Sequence, residues 1–150
     1  MRVYLVIMDE TEEATRALRF ASRRALKTGG AVHILALVPR QNFNAFGAVQ
    51  ATIEEEAKDR AEMVASSAAG SIFAESGKMP VISVRSGGAQ EVIGDYLAER
   101  PEVAALVLGA AKDGGPGPLV AHFSAQAGGL PCPLFVIPGS LSDDEIDRLS

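Results

Sequence analysis

Five short apolar runs, each followed by a turn signal and a helical segment, predict an α/β chain with a parallel sheet covered by helices on both faces. Two observations carry this. The runs, at 3–8, 31–38, 81–85, 104–108 and 133–137, are almost continuously apolar and do not alternate. Strands of that kind are buried on both faces. The segments between them have helical spacing, and a strict alternation of strand and helix implies parallel strands joined by crossover helices.

The first run, Val3 to Met8, ends at Asp9-Glu10-Thr11. Thr11 suits an N-cap, with Glu12 and Glu13 in the first turn where carboxylates favour the helix dipole. Ala14, Leu18, Ala21 and Ala25 then share one face, and Gly29-Gly30 stops the helix. Arg16, Arg19, Arg23 and Lys27 lie largely off that stripe and read as a solvated flank, with a phosphate site as the minor reading. The second strand carries His33, which reads as a satisfied structural residue because no second ligand stands at metal spacing. A polar loop at 40–47 holds Phe43 and Phe46, either pinned to the core or lining a cleft, and residues 40–50 read as a lid or a plain surface loop.

The longest helix is expected over 48–74, with Ile53, Ala57, Ala61, Val64, Ala68 and Ile72 inward and Glu55, Lys58, Asp59 and Glu62 outward. Glu54, Glu55 and Glu56 read as a solvated patch, not an acid/base pair. A third helix at 89–99 turns Val92, Ile93, Tyr96 and Leu97 inward. The fourth strand stops at Gly109 before a loop containing Gly114, Gly115, Pro116, Gly117 and Pro118. Such a loop is either an anion cradle of backbone N–H groups or a tight corner. A short helix at 119–127 and the fifth strand follow. The tail, 139–150, has Ser142 and Glu145 at capping-box spacing; Ile146 and Leu149 dock it, or it frays.

The length of 150 residues fits one domain over the whole chain, 1–150. A formal net charge of −5 argues against nonspecific nucleic-acid binding, which needs a basic patch. Cys132 is the single cysteine, so no internal disulfide forms. It sits between prolines with no cation beside it in sequence and reads as inert. No run reaches the roughly 18 apolar residues of a membrane helix. The start lacks the small-residue cleavage site of a signal peptide. The expectation is a soluble cytoplasmic protein with no nucleic-acid or membrane partner.

Taken together, the first strand ending in Asp9, the long second helix, Val84-Arg85-Ser86-Gly87-Gly88, Leu106-Val107-Leu108-Gly109 and the closing Pro131-Cys132-Pro133-Leu134-Phe135-Val136-Ile137 resemble a universal stress protein domain. The likeness spans essentially the whole chain. It implies a doubly wound open sheet of strand order 3-2-1-4-5, with the ligand cleft at the strand 1/strand 4 switch point. It also implies a homodimer formed through the last strand, Leu134, Phe135, Val136 and Ile137.

Nucleotide-holding members of that family carry Gly-x2-Gly-x9-Gly-Ser/Thr. Here Gly109 matches, but Lys112 stands at the second glycine and His122-Phe123 at the closing pair. Pro116 and Pro118 offer no N–H to a phosphate. Lys112, Ser124 and the glycines Gly114, Gly115 and Gly117 are partial substitutes, and Asp113 opposes them. Asp9 and Val38 match the positions that contact base and ribose, although Asp9 also suits a plain helix start.

The resemblance therefore implies a stress-associated regulatory or binding dimer with a degenerate nucleotide site. The alternative is a nucleotide sensor holding AMP, or ATP with Mg²⁺; a small anion at the loop is a related reading. A small-molecule enzyme comes third. No Gly-x-Ser-x-Gly elbow accompanies His122 and Ser124, the Walker signature is missing, and no dinucleotide fingerprint follows the first strand.

Overall fold

A computed structural model describes residues 1–38 and 47–150, and side chains in the second helix from residue 51 onward. The expected loop with Phe43 and Phe46, and the question of a lid there, lie outside the described residues.

The chain runs β1 (Val3–Met8), α1 (Glu12–Thr28), β2 (Ala31–Val38), α2 (Gly47–Ser76), β3 (Val81–Ser86), α3 (Ala89–Glu99), β4 (Val103–Ala110), α4 (Pro118–Ala125), β5 (Leu134–Pro138) and α5 (Asp143–Leu149). A single 3₁₀ turn, Ala127–Gly129, follows α4. The strands form one parallel sheet of order β3-β2-β1-β4-β5. Val6 lies between Ile34 and Val107 at its centre.

Alternate residues of β1 serve opposite layers. Tyr4, Val6 and Met8 pack with α1 and α2, while Val3, Leu5 and Ile7 pack with α3 and α4. Double-sided burial explains the unalternated apolar runs. Because α1 leaves β1 on one face and α4 leaves β4 on the other, the chain parts between these neighbouring strands. A crevice opens beyond their C-terminal ends.

The α2 stripe is deepest at Ala57, Ala65, Ala69 and Ile72, with Ala61, Val64 and Ala68 partly buried. The small alanines let the helix approach the sheet. Met63 and Phe73 are exposed, off the buried stripe.

His33 has the expected structural role. Its Nδ1 lies 2.9 Å from the hydroxyl of fully buried Tyr96, and burial lowers its pKa. The guanidinium groups of Arg85 and Arg100 sit 5.0 and 5.6 Å from the Tyr96 ring centroid.

The basic side of α1 is not the solvated flank its spacing suggested. It holds the tail. Arg19 forks onto Asp147 with two bonds of 2.8 Å, and Arg23 Nε lies 3.3 Å from the same carboxylate. Arg16 donates to the Leu141 carbonyl, and Lys27 to the Asp147 carbonyl. The hydrogen bonds from Arg19 are the main reason the Asp147 carboxyl lies below its usual range. Both halves of the Ser142/Glu145 capping box form. Ile146 is fully buried while Leu149 stays 52% exposed, so one of the two expected anchors docks. These ion pairs are half-buried and still meet solvent, so their net contribution is modest. Burial of an isoleucine side chain is worth about 1.5–3 kcal/mol, so Ile146 is the main anchor and the arginines set the register.

Candidate functional site

Asp9 stands where β1 gives way to α1, and it lines two cavities at the C-terminal end of the sheet. Its Oδ1 accepts hydrogen bonds from the Thr11 amide, at 3.0 Å, and from the Thr11 hydroxyl. Thr11 Oγ1 in turn accepts from the Ala14 amide at 3.3 Å. One edge of the carboxylate is therefore committed to starting α1, as the plainer sequence reading held. The N-cap amide of Thr11 and the first-turn amide of Ala14 are thus used internally and are not offered to an anion.

The cavity on the β4 side, about 130 Å³, lies between the start of α1 and the start of α4. Thr11, Glu13, Gly109, Gly117, Pro118 and Val120 are among its walls. Its ionisable lining is acidic, from Asp9 and Glu13. Gly109 has a specific packing reason. A Cβ there would lie 2.1 Å from the Glu13 carbonyl oxygen and 2.5 Å from its carbon, so the first turn of α1 rests directly on the Gly109 backbone.

Beyond Gly109 the loop leaves the cavity at Lys112, Gly114 and Gly115, which are exposed, and returns to its wall at Pro116 and Gly117. Gly114, Gly115 and Gly117 have φ of 77°, 92° and 95°, which favours glycine. A Cβ at any of the three would meet open space. The Ala111 amide donates to the Pro116 carbonyl at 3.1 Å, closing the loop on itself. Gly117 caps α4 with no side chain, Pro118 supplies no N–H, and the Ala121 amide is bonded to the Gly117 carbonyl. The first-turn donors left are Leu119 and Val120.

The remaining sequence candidates divide. Asp9, Gly109 and Gly117 come together in the β4-side cavity. Lys112, Gly114 and Gly115 are exposed and do not line it. Ser124 lies further along α4, exposed, with its hydroxyl 3.3 Å from the Ala121 carbonyl. Val38 is 3% exposed, paired with Ser86 inside the sheet. Of the last-strand residues, Ile137 is buried and Phe135 stacks edge-on against Phe20 at 5.9 Å. Val136 is 39% exposed. Cys132 is half-buried, and burial pushes its thiol pKa up.

The cavity on the β2 side is larger, about 230 Å³, and was not legible in the sequence. Met8, Ala36, Leu37, Ala57, Ala61 and Val64 give it an apolar lining. Glu10 and Arg60 stand at its edge, joined by a 3.0 Å ion pair. The one sequence signal was that Arg60 flanks the Ala57, Ala61, Val64 stripe on α2.

The chain is a doubly wound parallel α/β domain with two cavities at the C-terminal ends of its central strands, the end of such sheets at which ligands bind where they bind at all. The universal stress protein family model matches residues 1–138, and the chain belongs to that family. The universal stress protein UspA from Lactobacillus plantarum superposes with a TM-score of 0.79 at 20% identity, covering 91% of this chain and 97% of that one. A universal stress protein in complex with cAMP gives 0.64 at 13% identity, covering 93% and 98%. The Archaeoglobus fulgidus protein in complex with dAMP gives 0.55 at 20% identity, covering 91% and 97%. At these identities the likeness shows the fold. No curated protein matches the sequence. Among the described residues, no helix is long and apolar enough to cross a membrane.

Proposed function

We propose that this chain is a cytoplasmic, homodimeric regulatory protein of the stress response. Its cleft takes an adenine nucleoside or mononucleotide, and it acts by binding and not by turnover. The observation that carries this reading is the state of the phosphate end. The glycine loop is closed by its own Ala111–Pro116 bond, two positions are prolines, and the adjoining cavity has Asp9 and Glu13 in its walls. A triphosphate needs many converging donors, whereas a base with one phosphate or none needs few. Relatives described in complex with cAMP and dAMP support an adenine ligand. Mg²⁺ would enter only with ATP.

Isothermal titration with AMP, ADP and ATP tests this. Affinity should not rise with phosphate number. AMP at a hundredfold excess over its dissociation constant should stabilise the protein by about 2.7 kcal/mol. ATP binding tenfold tighter than AMP would restore the glycine loop as a triphosphate site.

The dimer part of the proposal rests on β5, an outer strand of the sheet whose Val136 faces outward. A charge at Phe135 would also disturb its packing on Phe20, so Val136→Asp is the cleaner probe. The variant should be a folded monomer by light scattering with unchanged circular dichroism. A folded dimer would remove β5 from the interface.

A further inference from the structure

We infer that Arg60 of α2 is the anion-recognising residue of this cleft, so that a bound mononucleotide places its phosphate on the β1–β2 side and not over the glycine loop. The inference rests on the adenine-ligand reading above and adds the ligand's orientation and a specificity residue. Among the described residues, Arg60 is the one cation lining either cavity beside Asp9. The β4-side cavity offers a phosphate two carboxylates, Asp9 and Glu13, and Lys112 does not line it. The β2-side cavity also has two carboxylates, Asp9 and Glu10, but there Arg60 offsets them, so of the two cavities it is the one that offers an anion a charged partner.

The shape agrees with the charge. At about 230 Å³ the β2-side cavity falls below the roughly 300–1,000 Å³ of sites that enclose a whole drug-sized ligand. It has room for a ring-sized group against Leu37, Ala57 and Val64, with the rest of the ligand passing out at the edge. Arg60 stands at that edge. Its contact with Glu10 runs from Nε to one carboxylate oxygen, and a guanidinium keeps donors on its terminal nitrogens that match a phosphate in bidentate fashion. Both partners are well exposed, with side chains 60% and 71% accessible, and exposed pairs are weak enough for a ligand to displace. Glu10 therefore competes with the phosphate for Arg60, and this sets how strongly the cleft prefers nucleotide over nucleoside.

The test is titration of AMP and adenosine into the full chain as wild type, Arg60→Ala, Arg60→Lys, Glu10→Gln and Lys112→Ala. Wild type should prefer AMP. Arg60→Ala should lose AMP affinity by roughly tenfold while adenosine affinity holds, and Arg60→Lys should recover part of the preference. Glu10→Gln should strengthen AMP binding several-fold. Lys112→Ala should match wild type. A preserved AMP-to-adenosine ratio in Arg60→Ala, or a ratio lost in Lys112→Ala, overturns the inference. Equal binding of both ligands by wild type overturns it and leaves the adenine reading standing. No binding of either by wild type overturns both.

Discussion

Replacing Gly109 by alanine should destabilise the protein in the absence of any ligand. The added methyl would sit 2.1 Å from the Glu13 carbonyl oxygen and 2.5 Å from its carbon, and no rotamer can relieve a contact with backbone. The first turn of α1 must lift from β4. Overpacking of this kind costs typically 1–3 kcal/mol, and at this chain length each kcal/mol lowers Tm by about 2–4 °C. The shift also moves Asp9 and Thr11, so ligand binding in the cleft should fall with stability. Gly115→Ala is the control. Its side chain would enter open space at φ 92°, so it carries backbone strain without a clash. Thermal unfolding of the two apo variants separates the readings. If Gly109→Ala melts with wild type and loses only ligand affinity, the glycine serves the ligand and not the packing.

The second large effect is expected at Ile146. It is fully buried by the contact of α5 with α1, and truncating a buried isoleucine to alanine costs about 2–5 kcal/mol. Part of that loss should appear as local opening, because α5 is a single short helix that can undock without unfolding the sheet. Hydrogen exchange should therefore speed up over 143–149 in Ile146→Ala before it does so in β1 or β4. Asp147→Asn weakens the half-buried fork with Arg19 and should do less, since an ion pair that still meets solvent holds register more than it holds stability. Equal effects from the two variants would mean that the arginines, not the isoleucine, secure the tail. Protection over 143–149 unchanged in Ile146→Ala would mean that this contact does not form in solution.

These predictions draw on different levels of legibility. The strands, the Thr11 cap and the Ser142/Glu145 box were readable because each is written in a few consecutive residues. Apolar runs, a hydroxyl before a helix and a Ser-x-x-Glu spacing need no partner elsewhere to be recognised. The tail's docking surface was misread for the opposite reason. Arg19 and Asp147 are 128 positions apart, and along the sequence Arg16, Arg19 and Arg23 look like any charged helix flank.

The candidate site shows the same division. Sequence alone placed Asp9 and Gly109 at the ends of two parallel strands, and put Lys112, His122 and Phe123 where the family resemblance leads one to expect glycines and a hydroxyl, because motif spacing is a local property. Only the tertiary structure decided what those residues do. It turned Asp9 onto Thr11, laid α1 against Gly109, left Lys112 and Ser124 exposed and outside the lining of the β4-side cavity, and brought Arg60 to Glu10 across 50 positions. The physical reason is that a side chain's direction depends on the packing of whole helices against the sheet. That packing is set by long-range burial, which no window of the sequence contains.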